Sequence, residues 1–168
     1  MKKIVFVVAP KVFRDEEYAE PKSILEKANI KVTTASTVIG EIYGKIKIKA
    51  QSEILVSDIS VSDYDAIFFV GGGGSSIYFN DLSVHKLVND FYSSGKVVSA
   101  ICSGSVILAN SGILKGKKAT VFPGDAQALI SAGADYTAKD VETDGNIITG
   151  NGPAAAKKFA GELIKALN

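Results

Sequence analysis

One short apolar segment, Val97–Gly104, restricts the fold more than any other part of the chain, because it contains the only cysteine. Residues 97–101 are apolar or small and begin with two valines, which is typical of a central parallel strand covered on both faces. After Cys102 the apolar residues change to helical spacing, which predicts a helix from Ser103 to about Gly112. The segment therefore predicts a strand–turn–helix unit of the kind that builds α/β sheets.

The turn has the composition of a nucleophile elbow. Ala100, Cys102 and Gly104 follow the small–x–nucleophile–x–glycine pattern, in which small neighbours let the backbone turn sharply. A thiol in such a turn faces the free N–H groups of the next helix, whose partial positive charge lowers a cysteine pKa from roughly 8.5 toward 7 or below. A lone cysteine is commonly just a small buried hydrophobe, but the position at the turn favours a reactive thiol.

Composition and charge exclude several classes of function. The 168 residues include 19 basic and 18 acidic side chains and are 46% hydrophobic, which fits one domain over residues 1–168. No charged tract favours nucleic acid or a membrane surface as a partner. One cysteine and one histidine make neither a disulfide nor a zinc site, so we expect no metal, no cofactor and a cytoplasmic location.

Apolar runs alternate with helical spacing along the chain. This alternation predicts a flavodoxin-like α/β sandwich, a mainly parallel sheet with helices on both faces, in which the nucleophile elbow presents Cys102. The helix after the first strand is expected to be irregular over residues 15–20 because of Pro21, and regular to about Asn29. The remaining predicted elements are strands at Lys3–Ala9, Lys31–Ala35, Ala66–Val70, Val97–Ile101 and Lys118–Val121, an exposed ribbon over residues 41–49, a hairpin over Val141–Thr149 and a final amphipathic helix around Ala156–Leu167.

Four glycines, residues 71–74, follow one of the predicted buried strands. They do not match the dinucleotide-binding fingerprint, which requires a third glycine where this chain has Ser76. If this strand and the Cys102 strand are neighbours, the N–H groups of Gly72 and Ser103 point toward one oxygen and form an oxyanion hole; a tight turn is the alternative.

Two acidic residues and the histidine complete the set of candidates. Glu16 and Glu17 follow the first strand, whose carboxyl end lies at the same edge, so one of them can approach Cys102. The pattern alone does not choose between them, nor does it exclude a solvated pair. His85 is expected to be exposed and remote from this edge, so no adjacent cysteine–histidine pair is predicted.

These motifs resemble the ThiJ/PfpI superfamily over nearly the whole chain. The resemblance is carried by Glu17 four residues before Pro21, by Phe69–Gly72, by Ala100–Gly104 and by Asp144–Thr149 before the final helix. It implies that an acid, the elbow cysteine and a glycine amide form one site. It also implies at least a homodimer.

Carried over by matching motifs, the resemblance assigns the roles in this site. Glu17 and Cys102 become the catalytic pair, and the N–H groups of Gly72 and Ser103 form the oxyanion hole. We expect Glu17 to be protonated near neutral pH and to donate its hydrogen to the sulfur. Gly73 is placed in the substrate pocket.

Two positions depart from the family's pattern. Peptidase-like members have a histidine directly after the cysteine, where this chain has Ser103. Members like the Parkinson-disease protein deglycase have a histidine before the proline that Pro123 matches, where this chain has Phe122, which is also placed in the substrate pocket. The chemistry must therefore proceed on a thiol and a carboxyl group alone.

The resemblance implies one leading function and two alternatives. The leading hypothesis is a cofactor-independent enzyme of the glyoxalase or deglycase kind, which converts small reactive carbonyls such as methylglyoxal to hydroxy acids and protects against stress. The first alternative is a non-enzymatic oxidative-stress sensor that acts through a Cys102 sulfinate. The second is a PfpI-like intracellular cysteine peptidase, which the missing histidine disfavours.

Overall fold

The structure is a computed structural model that describes residues 1–168, with twelve strands and five α-helices. The strands are β1 (Lys3–Val7), β2 (Lys11–Phe13), β3 (Lys31–Ser36), β4 (Gly40–Gly44), β5 (Lys49–Ser52), β6 (Ile54–Leu55), β7 (Ala66–Phe69), β8 (Val97–Ile101), β9 (Lys118–Ala119), β10 (Asp135–Tyr136), β11 (Val141–Asp144) and β12 (Ile147–Gly150). The helices are α1 (Asp15–Lys27), α2 (Leu82–Ser93), α3 (Ser105–Asn110), α4 (Ala126–Ser131) and α5 (Ala156–Leu167).

Seven strands form the central sheet, in the order β11-β12-β8-β7-β1-β3-β6. Every neighbouring pair is parallel except β11 and β12, which form the predicted hairpin. Strands β7 and β8 pair directly, with Phe69 opposite Ala100. The glycine run and Cys102 therefore follow adjacent strands and lie at the same edge of the sheet, which is where open α/β folds bind ligands.

Alternate residues of the strands build two separate cores. Ile4 and Phe6 of β1 belong to the core covered by α1 and α5, whereas Val5 and Val7 belong to the core covered by α2, α3 and α4. Side chains of a strand point alternately to opposite faces, so a strand that is apolar throughout needs helices on both sides. This layout confirms the predicted flavodoxin-like sandwich.

Helix α1 differs from the prediction, because it is continuous from Asp15 and contains Pro21. A proline removes one N–H, which in this helix would have bonded to the carbonyl of Glu17. Pro21 is buried, at helical spacing from buried Tyr18 and Leu25. Burial on this face and three acidic residues in the first turn favour the uninterrupted helix.

Other differences are local. The ribbon predicted over residues 41–49 is a hairpin of β4 and β5, and residues 45–48 form its turn instead of continuing the strand. Three strands end one or two residues before their predicted ends, at Val7, Phe69 and Ala119, and β3 continues to Ser36. The turn at Pro123 and Gly124 is followed by the short helix α4.

Two further predictions need correction. The helix expected to begin at Ser103 begins at Ser105, after a single 3₁₀ turn over Cys102–Gly104. His85 is half-buried and not exposed, and its Nε2 atom lies 2.8 Å from the carbonyl oxygen of Phe79. None of the helices is both long and apolar enough to cross a membrane.

Candidate active site

Cys102 occupies the sharp turn that the elbow motif predicts. It follows the last residue of β8 directly and has a φ angle of 57°, in the left-handed region that residues with a side chain rarely adopt. The chain then makes one 3₁₀ turn before α3 begins. Backbone strain of this kind is concentrated at functional sites.

The glycine run packs closely against the segment that leads into α1. Gly72 has a φ angle of 100°, and a Cβ atom there would stand 2.5 Å from the nitrogen of Arg14 and 2.7 Å from the carbonyl oxygen of Val12. Only glycine allows the turn after β7 to pack this closely against the chain entering α1. The N–H of Arg14 donates to the carbonyl of Gly71 at 3.0 Å, which ties these two segments together.

Helix α1 brings Glu17 to the same place and leaves Glu16 outside. The Glu17 side chain is completely buried, whereas Glu16 is half-exposed and accepts hydrogen bonds from the Arg14 side chain at 2.8 and 3.3 Å. No hydrogen bond of regular geometry reaches either carboxyl oxygen of Glu17, and the only hydrogen-bonding groups close enough to affect its pKa are the Cys102 thiol and the N–H of Gly71. A buried polar group without a partner is costly, and it persists where the group acts on a ligand or a reacting atom.

Gly71 sets the spacing between the carboxyl group and the sulfur. A Cβ atom on Gly71 would overlap the Oε2 atom of Glu17 and stand 2.7 Å from the Cβ of Cys102. Both side chains therefore pack against the bare Cα of this glycine. The structure thus places Glu17 beside Cys102, as the resemblance implies, and it separates Glu17 from Glu16, which the residue pattern alone does not.

The pKa of Cys102 differs from the sequence-based expectation. Burial raises the pKa of the Cys102 thiol to about 12, and the negative charge of Glu17 adds to the rise. The N–H and hydroxyl groups of Ser103 lower this pKa without cancelling the rise. The expected value near 7 or below is wrong, because desolvation and a neighbouring carboxylate outweigh the N–H groups at the start of the helix.

The carboxyl group of Glu17 titrates first. Burial raises the pKa of Glu17 to about 7, while the Cys102 thiol and the positive charge of Arg14 limit the rise. The pair therefore carries two protons below about pH 7 and one proton above it, and the two groups titrate as a unit. In the one-proton form these pKa values leave the proton on the sulfur, while the raised pKa of Glu17 agrees with the expectation that this carboxyl group holds a proton up to about neutral pH.

The pair opens onto a pocket of about 360 Å³. The pocket contains all six residues predicted for the site, namely Cys102, Glu17, Gly72, Ser103, Gly73 and Phe122. It also contains three residues that sequence reasoning missed: Arg14, Lys45 and Pro153. The histidine is not among the lining residues, so the site offers a thiol, a carboxyl group and backbone N–H groups, and no imidazole.

The three missed residues carried only weak signals. Arg14 directly precedes the acidic run of α1 and could have been recognised as part of that motif. Lys45 lies in the predicted exposed ribbon, where nothing in the local pattern distinguishes it from Lys47 or Lys49. Lys45 lines the pocket because the turn of the β4–β5 hairpin is bound to the first residue of α1.

Asp15 holds that hairpin in position. Its carboxylate accepts hydrogen bonds from the backbone N–H groups of Ile46, Lys47 and Ile48, at 3.1, 2.8 and 2.8 Å. Burial would raise the pKa of Asp15, but the three backbone N–H groups outweigh it and the pKa is lowered. Asp15 therefore stays ionised and fixes the turn that bears Lys45.

The fold and the elbow together define an α/β sandwich with a cysteine in the turn at the carboxyl edge of its sheet. A profile of the DJ-1/PfpI family matches residues 2–166, and the chain belongs to this family. A crystal structure of a ThiJ/PfpI domain protein from Brachyspira murdochii superposes with a TM-score of 0.97, at 35% identity over 99% of this chain and 96% of the other. The resemblance inferred from the motifs is therefore confirmed.

Relatives in the family have names that point to enzymes. A deglycase of Pyrococcus horikoshii is 30% identical over 98% of this chain and 99% of its own. A Bacillus subtilis protein with the provisional name of cysteine protease is 31% identical over 99% of both chains. The chain thus belongs to a family with enzymatic members, which its elbow and buried acid fit.

Proposed function

We propose that this protein is a cofactor-independent enzyme that converts small 2-oxo aldehydes such as methylglyoxal to 2-hydroxy acids. The observation that carries the proposal is the buried pair of Glu17 and Cys102, which opens onto a small pocket and in which no hydrogen bond of regular geometry reaches the carboxyl oxygens. A relative named as a deglycase supports carbonyl chemistry at such a pair.

The proposed reaction begins with the one-proton form of the pair. The sulfur of Cys102 attacks the aldehyde carbon while Glu17 takes the thiol proton, and the proton passes to the aldehyde oxygen to give a hemithioacetal. The N–H groups of Gly72 and Ser103 hold that oxygen while its negative charge develops.

Glu17 then moves a second proton. Its carboxylate removes the hydrogen from the former aldehyde carbon and returns it to the neighbouring carbonyl carbon, which leaves a thioester of a 2-hydroxy acid. Water cleaves the thioester, restores the Cys102 thiol and releases the acid. One water molecule is added overall, and no oxidant or reductant is needed.

The decisive experiment measures lactate formed from methylglyoxal by the pure protein. We expect Cys102→Ser to abolish lactate formation, and Glu17→Gln to lower it about a hundredfold or more, the usual scale of general acid–base catalysis. Glu20→Gln is the matched control, because Glu20 lies on the same helix but does not line the pocket. Wild-type turnover no higher than that of Cys102→Ser would end the proposal.

The two alternatives predict different results in the same experiment. An oxidative-stress sensor would form no lactate, and intact mass after peroxide treatment would show two added oxygen atoms on Cys102. A peptidase would cleave a peptide substrate at a rate that depends on Cys102. Peptide hydrolysis commonly uses a histidine that takes the proton of the nucleophile as a base and then gives it to the leaving amine as an acid, and the pocket has no histidine.

A further inference from the structure

Two cations and one acid line the pocket. The charged lining residues are Arg14, Lys45 and Glu17, and Glu17 is buried beside the sulfur. The carboxylate of Glu16 pairs with Arg14, so Lys45 is the lining cation that no carboxylate of the protein neutralises. A small neutral aldehyde needs neither cation for recognition, so their presence requires a separate reason.

Both cations have unused hydrogen-bond donors. Arg14 is 31% exposed and uses its Nε and Nη2 atoms on Glu16, while the other N–H groups of the guanidinium bond to no protein atom. The ammonium group of Lys45 makes no ion pair and no hydrogen bond within the protein. Arginine and lysine in this state are suited to bind a carboxylate or a phosphate.

The backbone that bears Lys45 is fixed, although its side chain is free. The N–H of Lys45 donates to the carbonyl of Phe13 at 2.9 Å, the N–H of Gly44 donates to Ile48 at 2.8 Å, and Asp15 binds the next three N–H groups. A preorganised loop holds the ammonium group near the pocket at little entropic cost on binding. An exposed lysine that only kept a ribbon soluble would not need this anchoring.

We propose that the substrate is a 2-oxo aldehyde that bears a carboxylate or phosphate group at the end opposite the aldehyde. Lys45 and Arg14 bind the anionic group while the aldehyde carbon reaches Cys102. The inference rests on the proposed function and names its substrate class. With 4,5-dioxopentanoate as the probe, the hydrogen of the aldehyde carbon moves to the adjacent carbonyl carbon, one water is added, and the product is 2-hydroxyglutarate.

A first test measures the charge preference of the pocket without any turnover. Cys102 is alkylated with iodoacetate, which is anionic, and with iodoacetamide, which is neutral, and the ratio of the two rates is compared with that of 2-mercaptoethanol. At low salt we expect the ratio of the iodoacetate rate to the iodoacetamide rate to be about tenfold higher for the protein than for 2-mercaptoethanol, and to fall as salt is added. Tenfold is the lower end of the rate effect of a cleft lined by charges of one sign. Because both reagents react with the same sulfur, its pKa cancels from the ratio.

Matched variants identify the source of this preference. Lys45→Gln is expected to lower the ratio about threefold, whereas Lys47→Gln, two residues away and outside the pocket lining, leaves it unchanged. Protection of Cys102 by glutarate or by inorganic phosphate then distinguishes a carboxylate from a phosphate preference. A ratio equal to that of the free thiol, or an equal effect of both lysine variants, would overturn the inference.

The second test uses turnover and separates two kinds of failure. We expect kcat/KM for 4,5-dioxopentanoate to exceed that for neutral 2-oxopentanal about tenfold at low salt, and Lys45→Gln to reduce this preference mainly through KM. Conversion of both aldehydes with no preference would refute the anionic substrate and leave the proposed function intact. Conversion of neither aldehyde would refute the proposed function and with it the aldehyde substrate, and an iodoacetate preference present in that case would leave only a pocket that prefers anions.

Discussion

The Oε2 atom of Glu17 rests against the Cα of Gly71, where a methyl group would overlap it. The same methyl group would stand 2.7 Å from the Cβ of Cys102, so the acid and the thiol share one contact surface that exists only because residue 71 is a glycine. The distance between the two reacting groups is therefore set by a residue that has no functional group of its own.

Replacing that glycine tests this relationship. Gly71→Ala should push Glu17 and Cys102 apart, lower carbonyl conversion about a hundredfold or more, and reduce the free energy of unfolding by about 1–3 kcal/mol through overpacking. Gly161→Ala in α5, where an added Cβ meets nothing within 4 Å, is the control and should stabilise the fold by roughly 0.5–1 kcal/mol. Full activity of Gly71→Ala would show that the close contact has no role in catalysis.

The pH dependence of alkylation tests the coupled pair. We expect the rate of iodoacetamide with Cys102 to rise with a midpoint near pH 7, because loss of the Glu17 proton gives a carboxylate that takes the thiol proton during attack. A further rise should appear toward pH 12, where the thiol itself ionises. In Glu17→Gln the step near pH 7 should be absent. A single midpoint near 8.5 in both proteins would mean that the two groups are uncoupled.

The same carboxyl group makes the fold less stable at high pH. Because the pKa of Glu17 is raised from 4.5 to about 7, its contribution is fully favourable below about pH 4.5 and is lost as the pH rises through 7. Glu17→Gln has no charge to bury, so its stability relative to wild type should improve by about 3 kcal/mol between pH 4 and pH 8. Denaturant unfolding at several pH values measures this difference, and a constant gap would contradict the raised pKa.

Asp15 has the opposite dependence on pH. Its pKa is lowered overall by three backbone N–H groups against the effect of burial, so its contribution is present above the unfolded value of 3.8 and is lost as the pH falls below it. Asp15→Asn should reduce the free energy of unfolding by about 2 kcal/mol at pH 7 and also lower the iodoacetate preference, because the Lys45 turn loosens. Exposed Asp140→Asn is the control. A stable variant with an unchanged preference would show that Asp15 does not position Lys45.

The central strands could be predicted because they consist almost entirely of apolar or small residues. Every residue of Ala66–Phe69 and Val97–Ile101 is buried, and short apolar runs of this kind are typical of central strands. The irregular start predicted for α1 is wrong, because Pro21 costs the helix only one hydrogen bond. The burial of that face of α1 outweighs this cost, and it depends on a partner helix at the other end of the chain. The residues around Pro21 give no sign of that partner helix.

The members of the site were easier to predict than its electrostatics. The elbow motif leads to Cys102, and the resemblance to the family selects Glu17, which the residue pattern alone does not distinguish from Glu16. The pKa of the thiol depends on how deeply it is buried and on which carboxylate faces it, and both are tertiary properties. The position of Lys45 at the pocket is also a tertiary property, because it follows from the contact between its turn and Asp15.

Asp15 recognises only backbone atoms of the turn, and this affects how the protein can change over evolution. Since the three N–H groups belong to any residues at positions 46–48 except proline, the side chains of this turn can be exchanged without loss of the anchor. Glu17, two residues further along α1, keeps its place beside the sulfur when they are exchanged. Lys45, the residue of this turn that lines the pocket, is also held through its backbone N–H, so a single substitution there can change the charge at the pocket without disturbing the anchor.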